Sequence, residues 1–235
     1  MLQVPVIDVI IPAFNEEKAI GNVIKEIPAD WVREIIVTSN GSTDNTVTVA
    51  REAGATVLLE PQRGYGNACL KGMEYIARKA PESQPDIVVF LDGDYSDYPE
   101  ELPSLIHPIM DGGYDMVIGS RALGNREKGA MQPQQIFGNW LATTLIRWFF
   151  GMRFSDLGPF RAIRYDKLVG LNMCDRNYGW TVEMQVKAAR QKLRCTEVPM
   201  RYRVRIGESK VSGTIKGTFM AGYKILWTIF RYAFT

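Results

Sequence analysis

The sequence predicts an α/β fold, Rossmann-like, with a mostly parallel central sheet flanked by helices and an amphipathic helix at the C-terminus. Three observations carry this reading. The first half alternates short β-branched runs with helical patterns, the signature of parallel strands joined by helical crossovers. Polar segments follow the strand ends, where open α/β sheets gather their ligands. The 235 residues suffice for one large domain, which at this size buries roughly 70% of its unfolded surface and needs no disulfides.

The elements follow in order. Residues 6–11 are β-branched and closed by Pro12, a buried strand, and Asn15 is placed to cap a helix running to about Ile27. Residues 34–37 form a second strand, after which Ser42 or Asp44 caps a helix to about Glu52. Residues 56–59 make a third strand. A loop bearing Gly64 and Gly66 leads into a helix from about Asn67 to Ala80, and 86–91 is the fourth strand. Pro99 suits a helix start, with Glu100 and Glu101 in the first turn where the dipole favours acids. Residues 115–119 are a fifth strand. The second half is less regular: a polar, glycine-punctuated loop over 122–135, a helix over 136–150, another over 181–191 and a strand over 195–202. The tail, 214–234, places aromatics at 219, 223, 227, 230 and 234, a helical spacing with an apolar face.

Composition narrows the chemistry. Three cysteines without a CxxC pair argue for a reducing compartment and against a thiolate zinc site. A single histidine, His107, excludes multi-histidine metal centres and leaves little room for a histidine triad. A metal here must be held by oxygen ligands, which points to Mg²⁺ or Mn²⁺. Neither a secretion signal nor a membrane-spanning helix is predicted, so a cytoplasmic setting is expected. Residues 201–235 carry seven Lys/Arg and one Glu, a net of +6, against −4 for the first 200 residues. Such a tail suits an anionic partner, phosphate or a membrane surface. A nucleic-acid partner would rest on that tail alone, and none is expected.

The strongest chemical signal is Asp92-Gly93-Asp94 at the end of the fourth strand. Two carboxylates split by glycine can aim at one divalent cation, which would bridge diphosphate oxygens. Taken alone the triplet is equally a solvated acidic turn. Its setting decides: Ile10 to Glu16 (IIPAFNE), Asn40 to Thr46 (NGSTDNT), Pro99-Glu100, Gly119-Ser120-Arg121, Gly179-Trp180 with Glu183, Glu197-Val198-Pro199 and Gly207 to Lys210 (GESK) follow in order along the chain. With these motifs the chain resembles inverting glycosyltransferase family 2, and within it the dolichyl- or polyprenyl-phosphate sugar synthase branch.

The resemblance implies a GT-A fold and a set of roles. Pro12, Phe14 and Glu16 would line the nucleoside pocket, with Ser39 at the base position and Asp44 nearby, although Asp44 serves equally as a helix N-terminal acid. Asp92 and Asp94 would hold Mg²⁺ or Mn²⁺ and the ribose-phosphate. Arg205, Ser209 and Lys210 would clasp diphosphate or acceptor phosphate. Arg121 would reach the acceptor, joined by Arg126 on the long loop and by Glu183. Asp156 is the choice for a general base, needed only if the acceptor is an alcohol, since a phosphate is already anionic. Three departures stand out: Ser39 replaces the family's usual aspartate, Ser96 followed by Asp97 stands where a further metal ligand is usual, and the segment 156–161 is one residue short of the branch pattern.

The expectation is therefore a catalytic domain over 1–212 and an amphipathic helix over 213–235 that meets a membrane interface, the core or another subunit. The expected reaction moves a hexose from a nucleotide sugar (GDP-mannose or UDP-glucose type) to a polyprenyl phosphate. A soluble or polysaccharide hydroxyl acceptor and a non-catalytic nucleotide-sugar-binding module are the alternatives. Trp140, Trp148, Phe149 and Phe150 in one helix, and Tyr223, Trp227, Phe230 and Tyr232 in the other, would suit peripheral attachment to the cytoplasmic face of a membrane.

Overall fold

A computed structural model describes residues 5–207 and 215–234. Seven strands form one sheet in the order β3-β2-β1-β4-β6-β5-β7. β1 (Ile7–Ala13), β2 (Glu34–Ser39), β3 (Thr56–Leu59) and β4 (Ile87–Phe90) are parallel, as are β5 (Met116–Ser120) and β7 (Cys195–Pro199). The exception is β6 (Arg161–Arg164), inserted antiparallel between β4 and β5. Chain order reverses between β1 and β4, because β2 and β3 build outward on one side of β1 while β4 lies on the other. That reversal opens a crevice at the strand C-termini, the place where doubly wound sheets bind ligands.

Helices cover both faces, and the core divides accordingly into two apolar clusters. Ile10, Ile36, Val88, Phe90 and Trp180 belong to one, and Ile11, Val37, Val89, Leu105 and Phe160 to the other. Every residue of β1 is buried, so it carries apolar side chains on both faces. Within it Asp8 is fully buried and neutralised by Arg33 at 2.6 Å and Lys79 at 2.9 Å.

Several element boundaries differ from the sequence expectation, each for a physical reason. Asn15 does not cap the first helix: α1 spans Ile20–Glu26, and Asn15 sits at φ 53° with its side-chain oxygen accepting the Thr43 N–H at 2.8 Å. Ahead of α2 (Thr46–Glu52), Asp44 accepts the Thr46 N–H at 3.0 Å and the Glu17 N–H at 3.2 Å. α3 (Tyr65–Ala77) begins two residues earlier than its periodicity suggests. α4 (Leu102–Gly112) follows a short 3-10 turn at Pro99–Glu101. α5 (Pro133–Phe150) takes its first turn from the polar loop, where Gln132 and Gln135 form a reciprocal capping box. β6 escaped the pattern because its four residues begin and end with arginine. Arg161 is nonetheless fully buried, its guanidinium donating to the carbonyls of Leu157, Gly158 and Thr181. α6 (Tyr165–Gly170) and α7 (Trp180–Arg190) follow, and β7 stops at Pro199 rather than 202. Tyr202 instead bridges to both Asp97 and Arg126.

α8 (Ile215–Ala233) packs on α5 and α7. Its partner α5 shares an aromatic cluster in which Phe149 meets Phe230 and Phe234 edge-on at 5.6 and 5.8 Å. Beside that contact a row of aromatics stays open: Trp148 is 75% exposed, Phe219 74% and Phe234 77%, so packing satisfies only part of the apolar face. No helix among the described residues is long and apolar enough to cross a membrane.

The start of α3 is fixed by a close backbone approach. A methyl group on Gly66 would stand 2.0 Å from the Asp175 carbonyl oxygen, and Asn67 N–H donates to the Arg176 carbonyl at 3.0 Å. Gly66→Ala is therefore expected to lower stability by about 1–3 kcal/mol, the usual cost of overpacking. Gly138, inside α5 with nothing within 4 Å of its added carbon, provides the contrast. Gly138→Ala gains about 0.5–1 kcal/mol through helix propensity. Denaturant titration of the two variants checks both signs.

Candidate functional site

The crevice between β1 and β4 holds a cavity of about 390 Å³. Pro12 enters it from the end of β1, Phe14 and Glu16 from the turn that follows, Arg63 and Tyr65 from the start of α3 and the residues before it, and Asp92 and Asp94 from the turn after β4. Asn40 at the end of β2 fixes the α3 approach: its side chain donates to the Gln62 carbonyl at 2.6 Å and accepts the Gly64 N–H at 2.7 Å. Arg63 lies with its guanidinium carbon 3.6 Å from the centre of the Phe14 ring, a cation–π contact that closes one end of the cavity.

The two aspartates differ in how they are held. Asp94 is buried, one oxygen accepting the Ser96 N–H at 2.9 Å and hydroxyl at 2.5 Å, the other 3.1 Å from Arg205. Among the described residues, Asp92 has a single hydrogen-bond partner, the Tyr65 hydroxyl, which donates to it at 2.8 Å. Burial and then the neighbouring Asp94 charge push the Asp92 carboxyl up to about 6. Arg205 spans the cleft, pairing with Glu16 at 2.8 Å as well as Asp94, while its buried Nε finds no partner among the described residues. Buried Asp97 is driven well above the carboxylate range by burial and then by Asp92 and Asp94, and one of its oxygens has no partner among the described residues.

A second cavity of about 340 Å³ adjoins the first across Tyr65, Asp92, Asp94 and Arg205. Asn177 and Tyr178, from the loop before α7, line both. Arg121 faces this second cavity, and Leu157, Ala221, Gly222 and Ile225 give its far wall an apolar character. Lys224 and Asp175, 3.0 Å apart, tie α8 to the start of that loop.

The structure brings together Pro12, Phe14, Glu16, Asp92, Asp94, Arg121 and Arg205 around the two joined cavities. Five other candidates lie elsewhere. Ser39 is buried at the end of β2 with its hydroxyl on Ser42 at 3.0 Å, outside both linings. Asp44 is absorbed by the start of α2, as described above. Arg126 borders a third cavity, separate from the diphosphate crevice. Glu183 belongs to a different network, receiving the Asp175 N–H at 2.7 Å, the Tyr232 hydroxyl at 2.8 Å and Lys187 at 2.8 Å. Its carboxyl is lowered despite burial, because Cys174, Lys187 and the Asp175 N–H favour the charged form.

Asp156 is the fifth. Both of its oxygens are engaged by Arg121, at 2.7 and 2.8 Å from the guanidinium, and a third bond comes from the Arg121 N–H at 2.7 Å. Burial raises its pKa, but the Arg121 charge overrides that and leaves the carboxyl below its ordinary value. A carboxylate so engaged orients an arginine and is a poor proton acceptor, so the base assignment is corrected to a positioning role. Ser209 and Lys210 lie outside the described residues.

Sequence reasoning passed over Tyr65, Arg63, Asn177 and Tyr178. The glycines flanking Tyr65 signalled a close approach, but helical periodicity assigned the tyrosine to the loop before α3. Asn177 and Tyr178 stand in a short polar stretch with no periodicity, beside the Gly179-Trp180 motif, and only the fold carries them to the aspartates.

Comparison with known proteins supports the assignment of the fold and family. A model of "Glycosyl transferase family 2" matches residues 8–170. An uncharacterized glycosyltransferase of Mycobacterium tuberculosis is 34% identical over 218 residues, 92% of this chain and 94% of that protein. A dolichyl-phosphate hexose transferase of Haloferax volcanii is 32% identical over 86% of this chain and 85% of its own. Among solved structures, M. tuberculosis glucosyl-3-phosphoglycerate synthase bound to phosphoglyceric acid superposes with a TM-score of 0.75 at 25% identity, covering 97% of this chain and 80% of that one. The same synthase with Mn²⁺, UDP-glucose and glycerol 3-phosphate superposes at a TM-score of 0.74, and at 23% identity this likeness concerns the fold. A doubly wound sheet with an Asp-Gly-Asp turn at its switch point, matched over most of its length, places the chain as an enzyme: it belongs to glycosyl transferase family 2.

Proposed function

We propose that this glycosyltransferase moves a hexose, with inversion, from a nucleoside diphosphate sugar to the phosphate of a polyprenyl carrier. One observation carries the choice of acceptor. Among the described residues, neither cavity offers a histidine, and beyond the Asp92/Asp94 pair and the Arg205-bound Glu16 neither offers a carboxylate. Of the acids buried beside them, Asp156 is committed to Arg121, and Asp97 lines neither cavity. A hydroxyl acceptor needs a base to take its proton, whereas a phosphate acceptor arrives ionised. Arg121 and Arg205 are placed to receive that charge, and the apolar wall formed by Leu157, Ala221, Gly222 and Ile225 suits the first carbons of a lipid tail. The exposed aromatics of α5 and α8 fit peripheral contact with the membrane holding such a carrier.

The residues present fit a divalent cation. Asp92 and Asp94 repel each other, and among the described residues the raised Asp92 carboxyl has no cationic hydrogen-bond partner. Asp92 and Asp94 would therefore hold Mg²⁺ or Mn²⁺ through oxygen ligands, with diphosphate oxygens and water completing the shell. Such an ion would neutralise charge on the departing nucleoside diphosphate. This chain's own residues do the rest: Tyr65 orients Asp92, Ser96 orients Asp94, and Arg205 balances charge between Glu16 and Asp94. Arg121, held by Asp156, presents a fixed fork toward the acceptor.

A second reading assigns a soluble phosphate ester as acceptor, favoured by the phosphoglycerate-bound relative and by Gln134 and Gln135 in the second cavity. The two readings separate in one experiment. Labelled GDP- and UDP-sugars are offered with Mn²⁺ and either a polyprenyl phosphate or 3-phosphoglycerate, and product is counted in the lipid and aqueous phases. Transfer to lipid is expected. Label confined to phosphoglycerate would replace this reading with the second. Gly222 lines the second cavity and has nothing within 4 Å of an added carbon. Gly222→Leu is accordingly expected to raise the KM for the long-chain acceptor about tenfold or more, while a short-chain phosphate is affected less.

Two further outcomes follow from the aspartate pair. A nucleotide sugar with Mn²⁺ at about 100 times its dissociation constant stabilises the protein by about 2.7 kcal/mol, and Asp94→Asn is expected to abolish that shift. In metal-free protein, Asp92 titrates near 6, above the ~3.9 of an unfolded aspartate. The folded state therefore binds the additional proton, and this contribution to stability grows as pH falls from 7 toward 4. Asp92→Asn is expected to raise metal-free stability at pH 7.5 by about 1–3 kcal/mol. It should also shrink the gain that wild type shows on moving to pH 5.5. Thermal melts in EDTA test this, and a lowered melting temperature at pH 7.5 would contradict it.

A further inference from the structure

A third cavity, of about 490 Å³, borders the Asp156 side of the Arg121–Asp156 pair, whereas Arg121 itself faces the acceptor cavity. Three arginines converge on it from different segments: Arg126 from the loop after β5, Arg147 from the last turn of α5 and Arg153 from the stretch that follows. Among the described residues, none of the three has a carboxylate within ion-pair distance. Arg126 donates a hydrogen bond to the Met131 sulfur at 3.4 Å.

The two acids at this cavity are already committed. Asp156 is bound by Arg121, and Glu197 accepts the backbone N–H groups of Ser155 at 2.8 Å and Asp156 at 3.1 Å. Burial raises the Glu197 carboxyl. Three guanidinium groups border one concave space, and among the described residues none of them is paired with a carboxylate. A phosphate matches it in charge and in its capacity for paired hydrogen bonds. Exposed Ile136 and Trp140 on the same rim add an apolar shoulder.

We propose that Arg126, Arg147 and Arg153 form a second phosphate-binding site, distinct from the donor and acceptor cavities, for a phosphate ester or the phosphate of an anionic lipid headgroup. The site communicates with the reaction centre by contact. Asn139 borders both this cavity and the acceptor cavity, donates to the Ser155 carbonyl at 2.9 Å and accepts the Leu157 N–H at 2.8 Å, bracketing Asp156. A ligand seated on the three arginines therefore touches the segment that holds Arg121 in place.

The test uses the full chain and an Arg147→Gln/Arg153→Gln variant, both positions being exposed. One arm titrates inorganic phosphate and glycerol phosphate by calorimetry at constant ionic strength. The other measures flotation with phosphatidylcholine vesicles, with and without phosphatidylglycerol. An Arg164→Gln/Lys167→Gln variant removes two positive charges elsewhere as a control. The expected result is at least a tenfold loss of binding in the Arg147/Arg153 variant and little change in the control. Binding in both arms assigns recognition to phosphate itself, and binding to anionic vesicles alone assigns it to a lipid headgroup. Phosphate held only in the donor crevice would be insensitive to Arg147 and Arg153. The proposal is overturned if wild type binds in neither arm, or if the variant binds as wild type does. Equal weakening of the control variant overturns it too. Melting temperatures verify folding, and if the double variant fails to fold, Arg153→Gln alone carries the same comparison. Because the readout is binding, its failure leaves the transferase reading to be judged by the transfer assay.

Discussion

Two aspartates that the fold brings together beyond β4 set the terms for everything around them. Burial, and then the like charge of Asp94, lift the Asp92 carboxyl to about 6. The surroundings divide the problem unequally. Asp94 is engaged by Ser96 and Arg205, whereas among the described residues Asp92 keeps one hydroxyl and no cationic partner. Under the proposed reading, Asp92 would meet the cation most directly, and Asp94 is set in position by its neighbours. Ser96, which replaces an expected ligand, acts through Asp94 in this arrangement, and Arg205 supplies the positive charge that protein alone can offer.

The same logic explains Arg121 and Asp156. A buried arginine with its carboxylate costs more to desolvate than a surface pair, and such pairs persist where geometry is excellent and the remaining hydrogen bonds are met. Asp156 meets that condition with three bonds from one residue. What results is an arginine whose direction is fixed before any substrate arrives. Pre-orientation of this kind suits charge recognition, and it engages both oxygens of Asp156.

Much of this was legible in the sequence. The β-branched runs, Pro12 in β1 and Pro99 ahead of α4, and the order of the strand-end motifs located six of the seven strands and the strand ends that carry the site. Legibility failed where tertiary contacts overrule local pattern. Arg161 reads as surface charge, yet its guanidinium is satisfied by three carbonyls of neighbouring loops and seats an antiparallel strand inside a parallel sheet. Asp156 and Glu183 have the residue type that catalysis uses, and spacing cannot reveal that Arg121 and Lys187 already occupy them. Asn15 looks like a helix cap until its turn adopts positive φ and its amide goes to Thr43. Tyr65 carries no periodic signal, because its importance comes from meeting Asp92, 27 residues away.

The tight seam between Gly66 and the carbonyl of Asp175 joins two stretches of chain with different histories of description. The stretch that the family model spans ends at residue 170, and it supplies the donor floor, the aspartate pair and Arg121. Asn177, Tyr178, Tyr202, Arg205 and the α8 wall all lie beyond it. Residues beyond 170 therefore complete both cavities, since Asn177, Tyr178 and Arg205 line the first as well as the second. A shift of that segment against α3 would move walls of both cavities together.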